Sequence, residues 1–440
     1  MPRRKVLFVC HNHPKVRPGG AEEYAHELHR ALRESPGWEP TFLARSGPPH
    51  SRSRRPHEDV HVSPVDCVDD EYFLYTDGYD FDWLYGTMRH SKELYTRHLR
   101  RFLLALRPDV VHFQHTLFIG YDAIREVRRT LPDVPIVYTL HEFLPICRNK
   151  GQMVRTMDGE LCAEETPRRC SECFPEHSPQ TFFLRKRFIQ AQLGLVDLFV
   201  APSRMLVERY VEWGVPRNRI VLEDYGRRAL AVPAPDASRP GARDRLGFFG
   251  QMSPYKGIDV LLEAFRRHGR SPAPHARLWV HGANLDLQEH DFRDTVEQLL
   301  ADTGEHVTFA GPYEPHEVGA LMAAVDWVVV PSVWWENSPL VIQEAFANGR
   351  PVICSDIGGM AEKVAEGVNG LHFRTGDPDS LGETIGRAVG NEELWESLRG
   401  GIPPVHAMSD HVAVLTGAYE RLVRERRGEP WPERVAALSS

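Results

Sequence analysis

The 440 residues are too many for one ordinary core and predict two or three domains, while 42% hydrophobic and 26% charged residues describe a soluble globular protein. A formal charge of −8 with no long basic stripe excludes general nucleic-acid binding. No apolar run reaches the roughly eighteen residues a membrane span needs.

The start, MPRRKVLFVCHNH, carries too short an apolar run for a secretory leader and reads as a first strand. Seven cysteines without such a leader predict a reduced, cytoplasmic setting. Val6–Cys10 is a buried-type run. After the loop His11–Gly20, the stretch AEEYAHELHRAL sets Ala21, Tyr24, Ala25, Leu28, Ala31 and Leu32 on one face at helical spacing. Strand-type runs recur at Thr41–Ala44, Val110–Phe113, Ile136–Leu140 and Leu198–Ala201, with helical patterns between most of them. This alternation predicts βαβ units and a parallel sheet.

Asp69–Gly86, DDEYFLYTDGYDFDWLYG, breaks the alternation. It reads either as a surface excursion or as a lip whose aromatic faces and carboxylates would suit a sugar. Between Asp224 and Asp244 the chain is irregular, with AVPAPDASRPGA at its centre, which marks a linker. A second series follows: Leu246–Phe249, Arg277–Val280, His306–Phe309, Trp327–Val330 and Pro351–Cys354. The predicted organisation is an α/β protein with an N-terminal domain over 1–230, a linker over 231–243 and a second domain over 244–405. A C-terminal helix within 406–440 either caps the second domain or crosses back to the first.

The stretch WWENSPLVIQEAF, Trp334–Phe346, carries the chemistry. Ser338 suits a helix cap and Pro339 a first helical position, so the helix is expected to start at Pro339. Free backbone N–H groups near Ser338–Val341 would then face the crevice beyond the strand ends and suit a phosphate. Glu336 precedes those donors, and Glu344 lies five residues beyond Pro339, about 7.5 Å further along at the usual helical rise. In GQMSPYKGIDVLLEAF, Gly250–Phe265, Lys256 sits in a loop where a lysine can meet a diphosphate as a point charge. Gly19 and Gly20 precede a helix and would let backbone approach a ligand, although their spacing fits neither the dinucleotide nor the P-loop fingerprint.

Taken with PGGAEEYAHEL, VVHFQH, VYTLHEF and WENSPLVIQEAFANGRPVICSDIGGMAEKV, these segments resemble the retaining glycosyltransferases of family 4 over nearly the whole chain. The resemblance implies the GT-B fold, two Rossmann-like domains across a cleft that holds a nucleotide sugar. It assigns Glu336 to hydroxyls of the donor sugar, Glu344 to the ribose, and Asn337, Ser338, Pro339 and Leu340 to the sugar and diphosphate. Lys256 would offset charge on the leaving diphosphate, with Gly20 closing over it beside Gly19. His141 matches the family histidine that faces the donor sugar, and His115, rather than His112, would reach the acceptor side. Gly311, in GPYEPHEV, would edge the base pocket.

Retention by front-face substitution is implied, with no cofactor or divalent metal required for catalysis. The implied donor is a UDP, GDP, ADP or dTDP sugar. The acceptor is a glycan, glycolipid or small molecule, and a lipid-linked acceptor would bring peripheral membrane contact. The alternative is a non-catalytic nucleotide-sugar-binding partner subunit, prompted by Gln251, where the family usually carries arginine. Arg227 and Arg228, in EDYGRR, are candidate replacements for that cation.

Four cysteines, Cys147, Cys162, Cys170 and Cys173, fall in one insert. Cys170 and Cys173 have the pair spacing of structural zinc sites, and the set of four is a candidate structural zinc site on the acceptor side. Unligated thiols and disulfides are its alternatives. Cys10, Cys67 and Cys354 read as small core residues.

Overall fold

The computed structural model describes residues 3–49, 61–66, 68–228, 243–268 and 275–429. Of the linker expected over 231–243, all but Arg243 lies outside the described residues, as does Cys67. The chain divides into two compact units, one of residues 1–228 with 407–440, the other of residues 229–406.

The first unit is built on an eight-stranded sheet. Its order is Ile220–Leu222, Leu198–Ala201, Ile136–Thr139, Val110–Phe113, Arg4–Cys10, Trp38–Ser46, Val68–Tyr75 and Val62–Val65. All pairings are parallel except the last, between Val62–Val65 and Val68–Tyr75. Val6, Leu7 and Phe8 are fully buried in succession, as expected for a central strand covered on both faces.

The acidic, aromatic stretch after Asp69 departs from expectation. Its first half is a sheet strand, Val68–Tyr75, parallel to Trp38–Ser46. Only Glu71 and Leu74 of that strand are fully buried, so no long apolar run announces it. Glu71 is buried because His13 and His26 each meet it at 3.0 Å. Lys15 N–H donates to His13 Nδ1, so the proton of His13 is on Nε2 and points at the carboxylate. These contacts tie the loop after the first strand, the helix Gly20–Glu34 and the outer sheet together.

The helix Met408–Arg427 belongs to this unit. Tyr24 Oη lies 2.7 Å from His411 Nε2, and His112 Nδ1 lies 2.6 Å from Tyr419 Oη. The other nitrogen of His112 meets Thr139 Oγ1 at 2.7 Å, so this wholly buried histidine is a packing residue.

The second unit carries a six-stranded, all-parallel sheet in the order Val307–Phe309, Arg277–Ala283, Arg245–Gln251, Trp327–Val330, Val352–Ser355 and Gly370–Phe373. Alternate residues feed two cores. Trp327 and Val329 pack on one face with Leu246, Phe248 and Trp395, while Val328 and Val330 pack on the other with Phe249, Met322 and Ile342. Numbered along the unit, the strand order is 3-2-1-4-5-6. The order reverses between Arg245–Gln251 and Trp327–Val330, and ligands of open α/β sheets bind outside the strand ends at such a reversal.

Candidate functional site

In the second unit, the two loops that leave the sheet at this reversal carry Lys256 and Glu336. Their meeting is built by backbone. Val333 N–H donates to the Tyr255 carbonyl at 3.0 Å, holding one loop to the other. Gly257 ends the lysine turn at φ +64°, and a Cβ there would sit 2.0 Å from the Pro331 carbonyl oxygen. Only glycine satisfies both demands. Lys256 Nζ consequently lies 2.5 Å from Glu336 Oε1, which also accepts from Ser332 Oγ at 2.8 Å and Trp334 Nε1 at 3.0 Å. Three donors on one oxygen of a buried carboxylate fix its orientation.

Gly359 N–H donates to the Glu336 carbonyl at 2.6 Å, and a Cβ on Gly359 would fall 1.6 Å from the Asn337 carbonyl oxygen. This packing fixes the loop that enters the helix, whose start differs by one residue from that expected. Pro339 keeps ψ 117° and is itself the cap position, so the helix runs Leu340–Ala347. Asn337 and Ser338 are buried beside the helix entry. Glu344, half-buried, is near enough to Tyr313 for its charge to reinforce the upward push of burial on that phenol. Phe249 and His281 stack at 4.9 Å beneath Tyr313, so aromatic rings carpet the adjoining strand ends.

A cleft of about 660 Å³ opens at the same edge, lined in part by Met252, Asn284, Leu285, Arg293, Phe309 and Pro312. Gly311 borders it through Pro312, at φ +82°. The sequence reading assigned no binding role to these lining residues, which come from strand ends, loops and the helix His290–Thr303 and share no local pattern. Gln251 is the exposed last residue of its strand. Arg227 and Arg228 belong to the other unit and pair with Glu27 and Glu34 at 3.2 and 3.0 Å.

In the first unit, the strand order reverses between Arg4–Cys10 and Val110–Phe113. The residues just past the ends of these two strands and of Ile136–Thr139 gather there. His11 Nε2 is 3.0 Å from Glu22, and the His11 and His115 rings lie 4.2 Å apart. His115 Nε2 is 3.2 Å from Glu142, and His115 Nδ1 accepts from Leu117 N–H at 3.0 Å. His141 Nδ1 accepts from the Tyr225 hydroxyl at 2.6 Å, and its Nε2 donates to Gln114 Oε1 at 3.1 Å. Gly19 is extended and Gly20 opens the following helix, with Glu22 folded back toward Gly19.

Burial dominates the electrostatics of this group. It pushes Glu22 up, but His11 outweighs it and holds the carboxyl at about 2. Burial, with His115 and His11 adding to it, lowers His141 well below the ordinary histidine value. His115 is lowered by burial and His11, and Glu142 is raised by burial. His141 is therefore a neutral hydrogen-bonding group near pH 7. The sequence reading selected His115 and His141. It missed His11, Glu22, Gln114, Glu142 and Tyr225, although the HNH after the first strand and the HEF after the third were visible signals.

The four insert cysteines are free and line one cavity, and Cys10 and Cys354 are free and buried. No described helix is long and apolar enough to cross a membrane.

Two parallel-sheet units, each with its polar cluster at a topological reversal, define a protein of the GT-B class. Residues 18–222 match the family model described as Glycosyltransferase Family 4, and residues 243–391 match that described as Glycosyl transferases group 1. The D-inositol 3-phosphate glycosyltransferase of Corynebacterium efficiens is 30% identical over 66% of this chain and 68% of its own length. The chain belongs to glycosyltransferase family 4. The protein of the same name from Corynebacterium aurimucosum is 27% identical over 61% of this chain, a match that spans 63% of that relative. HepE of Anabaena, solved with UDP and glucose, shares the fold with a TM-score of 0.66 at 17% identity, over 95% of this chain and 100% of its own.

Proposed function

We propose that the protein is a retaining glycosyltransferase that moves a hexose-type sugar from a nucleoside diphosphate to an acceptor hydroxyl. The observation that carries this reading is the 2.5 Å pair of Lys256 and Glu336 beside a helix N-terminus at the sheet reversal. In the proposed complex, the helix entry at Asn337, Ser338, Pro339 and Leu340 receives the diphosphate, and Gly19 and Gly20 are proposed as further donor-binding residues. Lys256 turns toward the phosphate as negative charge grows on the leaving oxygen, and Glu336 accepts from sugar hydroxyls. The ribose is assigned to Glu344, and the base to the cleft of Asn284, Leu285 and Phe309, edged by Gly311.

The acceptor oxygen bonds to the anomeric carbon on the face the diphosphate leaves, and its proton passes to the departing phosphate oxygen. This route needs no carboxylate pair flanking the bond as acid and nucleophile. A neutral His141, oriented by Tyr225 and Gln114, donates to or accepts from a sugar hydroxyl, while His115 serves the acceptor side. No cofactor enters this chemistry.

The names of the relatives make a phosphorylated inositol the first acceptor to try, beside glycans and glycolipids. A lipid-linked acceptor would bring the protein to a membrane surface. Release of nucleoside diphosphate from UDP, GDP, ADP and dTDP sugars, with the product anomer assigned by NMR, tests the proposal. Donor binding without turnover, unchanged in Glu336→Ala, would instead identify a nucleotide-sugar-binding subunit.

A further inference from the structure

The segment 147–173 is a fold problem of its own. Within it Met153 and Val154 are the only buried apolar side chains, the four cysteines are half-buried, and the helix Pro167–Cys173 buries none of its residues. Apolar burial this sparse over 27 residues leaves the segment to polar ties, such as Lys186 to Glu165 at 3.0 Å, and favours a covalent or metal staple.

The backbone nevertheless brings all four cysteines to one place. Cys147 closes a turn through its N–H to the Phe143 carbonyl at 2.7 Å. Cys162 ends the returning arm of a small hairpin in which Val154 bridges Leu161, its N–H donating to Met153 at 2.7 Å. Cys170 and Cys173 are three apart on one short helix and therefore share a face. Together the four line a single cavity of about 200 Å³. Two knuckles and a helical pair converging on one point form the donor set of a closed tetrahedral thiolate site. Arg148, Arg155 and Arg169 line the same cavity and would offset the double negative charge of four thiolates around a divalent ion.

We propose that Cys147, Cys162, Cys170 and Cys173 bind one structural zinc ion. The four thiols lose their protons to solvent as four Zn–S bonds form, with no change of oxidation state. Among the described residues no three of these sulfurs lie within 4.8 Å of one another, whereas zinc–sulfur bonds of 2.3 Å set tetrahedral edges of about 3.8 Å. The site therefore closes on its metal, drawing the hairpin and the short helix together.

The insert begins six residues after His141, so the metal would brace the turn that follows that strand. The inference stands independently of the proposed reaction, since it concerns order in the insert.

Full-length protein purified under reducing, chelator-free conditions tests it by elemental analysis. One zinc per chain is expected, released stoichiometrically by a mercurial that titrates four thiols, and absent from the Cys170→Ser/Cys173→Ser double variant. Should that variant fail to fold, cobalt loading of the unaltered chain decides, because tetrahedral thiolate coordination gives intense visible ligand-field bands. Zinc retained by a folded double variant would place the metal elsewhere and overturn the proposal. So would four freely reactive thiols after incubation with zinc chloride, or two disulfides detected by mass.

Discussion

At Glu336 a single oxygen takes three hydrogen bonds, so substitution there has two separable consequences. Glu336→Gln keeps the shape but loses the charge that holds Lys256. Turnover should fall on the order of 10²- to 10³-fold with modest change in thermal stability, read by nucleoside diphosphate release and calorimetry. Lys256→Ala should fall within the same range, and the double variant should be far from additive because the two residues act as one unit. Glu344→Ala, if it removes a ribose contact made equally in ground and transition states, should raise the donor KM about tenfold and leave kcat nearly unchanged.

At the level of elements, two glycines, Gly257 and Gly359, carry the geometry that brings separate loops together. Gly257→Ala imposes a left-handed backbone on a side chain and drives its Cβ against Pro331. A loss of roughly 1–3 kcal/mol is expected from urea unfolding, with Lys256 displaced and activity lost beyond what the stability change explains. The helix Met408–Arg427 poses a different question. Its buried Tyr419 meets His112, and Tyr419→Phe leaves that ring nitrogen without its hydroxyl. A destabilisation of about 1–3 kcal/mol is expected from the unsatisfied buried group. A variant as stable as the parent would show that the helix is held by apolar packing alone.

For the whole molecule, buried histidines set the direction of pH dependence. His112 is pushed down to about 3 by burial, and burial also lowers His115 and His141. In the unfolded chain these groups take up protons near 6.5, so below that pH the unfolded state binds more protons than the native one. Their contribution is fully present above pH 6.5 and lost as pH falls below it, for His112 down to about 3. Glu22, held at about 2, adds a loss of the same sign between 4.5 and 2. Urea midpoints measured from pH 8 to pH 4 should therefore fall steadily below 6.5. His112→Gln, though less stable at pH 8, should show a shallower fall, and an unchanged slope would remove His112 from this account.

The parallel sheets were legible in the sequence because central strands such as Val6–Cys10 and Trp327–Val330 are buried on both faces and leave unbroken apolar runs. Val68–Tyr75 was not, since an outer strand with a buried glutamate has no such signature until His13 and His26 stand against it. Glu336, Lys256 and His141 were legible through local motifs, each pairing a reactive side chain with a glycine turn, a helix start or a strand end. The meeting of Lys256 and Glu336 was not, nor was the one-residue shift of the helix start at Pro339. Both depend on contacts across 80 and 22 residues, from Lys256 to Glu336 and from Asn337 to Gly359. The sequence by itself determined which groups are available and on which kind of element each sits. Tertiary structure decided which of them share an oxygen, because only the sheet order brings the ends of distant strands side by side.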